Sequence, residues 1–192
     1  MVGIHWGIQT ISLVVLKKSR VLWVGREEQP GTPEVDATEK EGGLKDVFPD
    51  FLTFTSEEKE AEVLARMVEA AECEGEPAWA NVSGASGVVS LVEFPSMQRS
   101  ELASAVRLEA EEMISGDISE MDVDYDIIRE LDGGGLKVLV VCAPRELNDR
   151  AIEVVNDSGL RCQGVAPDCV SLAAAFQSRV TAAAQPSVML YL

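Results

Sequence analysis

Three short apolar runs open the chain: Val2–Trp6, Ile11–Leu16 and Val21–Gly25. Their length and their Val/Ile content fit strands, and Lys17-Lys18-Ser19-Arg20 fits a polar hairpin tip. Residues 2–25 therefore read as a β-meander. Residues 26–50 are rich in Glu, Pro, Gly and Thr, with too little apolar surface to bury, and read as a flexible loop. Thr55 and Glu58 have capping-box spacing ahead of a helix. Ala61, Leu64, Val68 and Ala71 then fall on one helical face, which fades near Gly75 and Pro77. Ala78–Val82 reads as a buried strand ending at Ser83-Gly84.

The pattern then repeats with different spacing. Val88–Phe94 is a strand stopped by Pro95, and Leu102, Val106, Ala110 and Met113 form the apolar stripe of a helix over 98–114. Its other face carries Glu101, Arg107, Glu111 and Glu112. Val123, Tyr125, Ile127 and Arg129 alternate with Asp124, Asp126 and Ile128, as a half-buried strand requires. Asp132-Gly133-Gly134-Gly135 is a hairpin turn leading into Leu136–Ala143, a nearly all-aliphatic central strand. Pro144 starts a helix with Leu147, Ala151, Val154 and Val155 inward and Gly159 closing it. Leu160–Ala166 returns as a strand. Asp168 caps a helix over 169–182, with Leu172, Ala173, Phe176 and Val180 inward. Ser187–Leu192 is a last apolar strand, of the kind that continues into a second half. Such alternation implies an α/β sheet with an inserted α+β unit.

The 192 residues, 46% of them hydrophobic, are enough for one large core or two small ones. The formal net charge is −17, which repels nucleic acid and anionic lipid and favours basic partners. There is no basic-then-apolar leader at the start, and no run approaches the roughly 20 apolar residues that span a bilayer. Four cysteines and one histidine contain no CxxC pair, so no zinc site is expected. Cys142 and Cys162 lie in apolar strand patterns and read as small buried thiols in a reducing compartment.

Candidate chemistry is sparse. The triple glycine has no strand-to-helix setting and no following Lys-Ser/Thr, so it is a turn and not a phosphate cradle. Asp117, Glu120, Asp122, Asp124 and Asp126 lack the calcium-loop pattern and read as a solvated strand face, with docking of a basic tail as the alternative. Glu109, Glu111 and Glu112 lie on a helix surface without a nucleophile, so no catalytic residue is assigned. Trp6, Trp23 and Trp79 read as core, the alternative being an aromatic-lined groove for an apolar peptide.

Several motifs recur in an order that resembles a known family. Phe94-Pro95-Ser96-Met97 ends a strand. A helix containing Glu101-Leu102 and Ala105-Val106-Arg107-Leu108-Glu109-Ala110 follows, then Asp124-Tyr125 in a strand, then Ala143-Pro144-Arg145-Glu146-Leu147. This resembles the N-terminal half of PilM-type pilus assembly proteins, which are actin-like and related to the cell-division protein FtsA. The cytoplasmic domain of the secretion protein GspL looks similar. The match runs over roughly residues 78–177, and more faintly over the first 25.

The resemblance implies an actin-like (ribonuclease H-like) subdomain 1A at residues 1–85 and 163–192, with an inserted SHS2-type subdomain 1C at 86–162. It implies a cytoplasmic scaffold at the inner face of the bacterial inner membrane, held there through its partner. That partner would be a PilN-like N-terminal tail bound between 1A and 1C, or a secretion ATPase or platform protein. Val89, Leu91, Glu93, Trp6 and Trp79 are the candidate partner-binding residues, and homodimer formation through 1C is a further expectation. The family's first phosphate loop aligns with Gly3–Ser12. There His5 replaces an acid that helps position magnesium, and Ser12 replaces a lysine that offsets phosphate charge. Gly7 is kept, and Gln9 and Thr10 complete the degenerate loop. The chain is therefore expected not to bind ATP tightly and to need no cofactor or metal. The alternative is an actin-like ATPase whose site is completed by a missing C-terminal half.

Overall fold

The computed structural model describes residues 1–7, 10–18, 20–28, 57–82, 87–114 and 116–179. Gln9, Thr55, the Ser83-Gly84 turn, residues 29–50 of the expected loop and the expected strand at 187–192 lie outside them.

Among the described residues, eight strands form two sheets. The first contains β1 (Val2–Trp6), β2 (Thr10–Lys17), β3 (Arg20–Glu28), β4 (Pro77–Val82) and β8 (Arg161–Pro167). Its spatial order is β3-β2-β1-β4-β8. The meander β1-β2-β3 is antiparallel, while β4 lies parallel to both β1 and β8. Residues 26–28, read as the start of a loop, instead extend β3 and pair with Ser12, Ile11 and Thr10. The second sheet contains β5 (Val88–Phe94), β6 (Met121–Glu130) and β7 (Leu136–Pro144), in the order β5-β7-β6 and antiparallel throughout.

Period-two alternation explains the first core. Val2, Ile4 and Trp6 of β1 and Ile11, Leu13 and Val15 of β2 all point to one side of the sheet. Helix α1 (Glu57–Ala70) covers that side with Val63, Leu64, Met67 and Val68. Helix α3 (Arg145–Asp157) packs beside it and contributes Val154 and Val155 to the same core. The alanines Ala78 and Ala80 on β4 are buried there too.

The second core lies between the three-stranded sheet and helix α2 (Arg99–Met113). Leu102, Val106 and Ala110 face Val138, Val140 and Cys142 of the central strand, as the helical and strand periods require. The start of α2 is fixed by Glu101, whose Oε2 accepts the Gln98 N–H at 3.0 Å. A 3₁₀ turn at Ile118–Glu120, capped by Asp117 accepting the Ser119 N–H at 2.8 Å, leads into β6. Helix α4 (Asp168–Arg179) follows β8.

Glycine shapes the β6–β7 hairpin and the end of α3. Gly133 and Gly134 adopt φ of 100° and 87°, and the Leu131 N–H to Gly135 carbonyl bond of 2.7 Å closes the β6–β7 hairpin. Gly159 ends α3 at φ 90°.

Candidate functional site

The β1–β2 turn that aligns with a phosphate loop is closed by the Gly7 N–H donating to the Thr10 carbonyl at 2.9 Å. His5 and Ser12 are cross-strand partners on the face of the sheet away from the first core. His5 Nδ1 is buried and, among the described residues, has no hydrogen-bond partner. An imidazole here offers no carboxylate oxygen for a hard cation, so the residues do not fit a magnesium–phosphate group as the acid would. Ser12 Oγ accepts from Arg26 Nε at 3.3 Å. A cation thus sits on β3 close to the position where the resemblance lacks its lysine. Reading β1 and β2 alone missed Arg26, because only the β2–β3 register pairs it with Ser12.

The second candidate surface is the side of the three-stranded sheet opposite α2. Val89, Leu91 and Glu93 alternate outward on β5, so the strand brings these three sequence-predicted residues together. Their neighbours on β7 are Val141, Leu139 and Lys137. Leu91 is 55% exposed, while Val89, Leu139 and Val141 are half-buried. Glu93 pairs with Lys137 at 3.6 Å, at the polar end of this band. On the other flank, Asp124 and Asp126 of β6 lie level with Val141 and Leu139. The alternation expected through Arg129 fails. A bulge after Ile127 puts Arg129 level with Lys137, and leaves Ile128 51% exposed.

The tryptophans separate. Trp6 is buried in the first core and is not at a surface that a partner would touch. Trp79 is 51% exposed on the opposite face of the same sheet. Its ring lies on Gly164 of β8, where a Cβ would come within 2.5 Å of the indole. A bulge in the β4–β8 pairing sets this register. Trp23 is half-buried and packs at the edge of the first core.

Helix α3 joins the two sheets. At its start, Arg145 Nε donates to Asp122 Oδ1 at 3.1 Å, and Asn148 Nδ2 donates to Asp122 Oδ2 at 2.9 Å. One turn on, Arg150 Nη2 lies 3.1 Å from Glu60 Oε2 on α1. Glu60 is 2% exposed, so this ion pair is buried. Asp122 therefore positions a helix, a role its place in an acidic run did not suggest. The cysteines are all unpaired, and burial pushes the thiols of Cys73, Cys142 and Cys162 up. Among the described residues no group of three or more His, Cys, Asp or Glu side chains is placed to hold a metal ion, and no helix is long and apolar enough to cross a membrane.

No family model matches the chain, and no curated protein does. Solved structures do. A PilM–PilN type IV pilus biogenesis complex superposes with a TM-score of 0.73 at 18% identity, over 93% of this chain and 50% of that one. The cytoplasmic domain of EpsL, an inner-membrane component of the type II secretion system of Vibrio cholerae, superposes with a TM-score of 0.55 at 12% identity. That match covers 88% of this chain and 58% of that one. The chain thus spans about half the length of the structures it matches. Two sheets in this order, joined by α3, give the chain the actin-like fold of the pilus protein PilM and of the EpsL cytoplasmic domain.

Proposed function

We propose that the chain is a non-catalytic scaffold of a type IV pilus or type II secretion platform, holding a short tail of a membrane-anchored partner between two subdomains. In this reading residues 1–85 and 163–192 form 1A, and 86–162 form the inserted 1C. Helix α3 lies within 86–162 but turns Val154 and Val155 into the first core, which makes it the joint between them. The scaffold works at the cytoplasmic face of the inner membrane, held there through its partner. A PilN-like tail is the partner the fold favours, with a secretion ATPase or platform protein as the other class.

The observation that carries this reading is the apolar band Val89, Leu91, Leu139 and Val141 on the side of the sheet that no described element covers, the other side being filled by α2. Contiguous apolar surface of this kind marks a docking site. Fluorescence anisotropy with the N-terminal tails of bitopic pilus or secretion proteins tests it. Covering Leu91 contributes about 1.5–3 kcal/mol, so Leu91→Asp should weaken the best tail at least tenfold. Failure of every such tail to bind, or equal binding by Leu91→Asp, would overturn the reading.

One observation favours an actin-like ATPase completed by further chain: Arg26 lies beside Ser12. Calorimetric titration with Mg-ATP separates the two. The scaffold reading expects no micromolar binding, because His5 supplies no anionic ligand for the metal.

A further inference from the structure

Among the described residues the three-stranded sheet has a second uncovered feature, the edge away from the strand that carries Leu91. Strand β6 ends the sheet among the described residues, so its outer backbone N–H and C=O groups meet no neighbouring strand. Before the bulge, Met121–Ile127 is regular strand. Its side chains divide sharply. Asp122, Asp124 and Asp126 lie on one face; Val123, Tyr125 and Ile127 lie on the other, packed against the second core and still half-exposed. Arg145 and Asn148 engage Asp122. Among the described residues no cation pairs with Asp124 or Asp126; Asp124 Oδ1 accepts the Tyr125 N–H at 2.8 Å, a local bond that leaves its other oxygen for a cation.

This pattern discriminates between occupants. A second copy added antiparallel about a two-fold axis keeps both faces in common. Registers centred anywhere from Asp122 to Asp126 set aspartate opposite aspartate: one of the three against itself, Asp122 against Asp124, Asp124 against Asp126, or Asp122 against Asp126. Like charges directly opposite destabilise a sheet, and each copy already carries a net −17. The edge is therefore closed to its own kind.

We infer that β6 accepts an added strand from a basic, amphipathic extended segment, with alternate Lys or Arg opposite Asp124 and Asp126 and apolar residues opposite Val123, Tyr125 and Ile127. Main-chain bonds hold the segment, and the aspartate column sets its register. The apolar side of the segment extends the second core by covering the half-exposed edges of Tyr125 and Ile127. The inference does not depend on the tail site at Leu91, which lies on the opposite edge strand.

The test uses the full 192-residue chain and a labelled, end-blocked peptide alternating lysine and valine. Two comparison peptides carry glutamate for lysine, or N-methyl groups at alternate residues. The lysine–valine peptide is expected to bind, and the glutamate and N-methylated peptides are not. Two cross-strand charge pairs are at stake, so Asp124→Asn with Asp126→Asn should weaken binding roughly tenfold. Leu91→Asp should leave it unchanged, which separates this site from the tail site. The inference fails if the lysine–valine peptide does not bind, if the N-methylated or glutamate peptide binds equally well, or if the Asn pair has no effect. Loss of binding in Leu91→Asp would also overturn it, by making the two surfaces one.

Discussion

Arg150→Met tests how α3 is fixed to the rest of the chain. Glu60 on α1 is 2% exposed, and its Oε2 is 3.1 Å from Arg150 Nη2. At that separation and an effective dielectric of about 20, the attraction is roughly 5 kcal/mol. Removing both groups from water offsets most of it, so the pair as a whole contributes little net stability. Removing only the arginine is different. Methionine replaces the stem, but the buried Glu60 carboxylate loses the Arg150 charge 3.1 Å away, at a cost of about 3–5 kcal/mol. That is a large share of the roughly 5–15 kcal/mol that holds a domain together. Glu60→Leu combined with Arg150→Met leaves no charge behind and should lie within about 1 kcal/mol of the parent.

Urea unfolding followed by circular dichroism measures the parent, the two single variants and the double variant, with the slope of the transition confirming that the same surface is exposed. The reasoning is refuted if Arg150→Met costs less than about 1 kcal/mol, because the carboxylate would then be reaching water. It is also refuted if the double variant is as unstable as the summed singles, since packing and not charge would then account for the loss.

Gly87→Ala should cost about 2 kcal/mol, because a Cβ there would lie 2.4 Å from the Cys142 carbonyl oxygen, on a central strand that cannot retreat. A thermal melt unchanged from the parent would count against it. In thiol titration with a disulfide reagent, the exposed Cys169 should react in the native state, while Cys73 and Cys142 should wait for unfolding. Burial raises the thiols of Cys73, Cys142 and Cys162, with Glu76 adding to the effect at Cys73. Their contribution to stability is thus complete below the ordinary thiol range of about 8.5 and is lost as pH rises through the raised folded values. Fast native labelling of Cys142, or stability rising with pH above that range, would contradict this.

Much of this architecture is legible in the sequence, because among the described residues one side of each sheet carries its buried apolar side chains. Val2, Ile4 and Trp6 announce their face by alternation, and Leu102, Val106 and Ala110 announce theirs by helical spacing. What was not legible depends on pairing between distant strands. Trp79 reads as core because Ala78 and Ala80 flank it, yet alternation puts it on the other face, where only Gly164, 85 positions further on, leaves room for the ring. Arg26 reads as the start of a loop until β2 fixes it beside Ser12. Arg129 keeps its expected strand and loses its expected face, because one bulged residue reverses the alternation. The Glu60–Arg150 pair has no sequence signal, since each residue looks like an ordinary charge on a helix surface.

Helix α3 links stability to the proposed role. Its apolar side is committed to the first core through Val154 and Val155, and its first turn holds β6 of the second sheet through Arg145 and Asn148. The Asp122 contacts are largely exposed and contribute modestly one by one. The buried Glu60–Arg150 pair, in contrast, fixes the helix against α1. Both sheets are therefore referenced to one rigid element. A surface fixed in this way loses less conformational freedom on binding than one hung on loops, so more of its contact energy appears as affinity. Loosening α3 should then weaken capture of a tail at Leu91 without touching a single residue of that surface. Arg150→Met, assayed at a temperature where it remains folded, should lower tail affinity, and restoring the neutral pair with Glu60→Leu should recover it. Unchanged affinity in a folded Arg150→Met chain would mean that the sheet face binds independently of the joint.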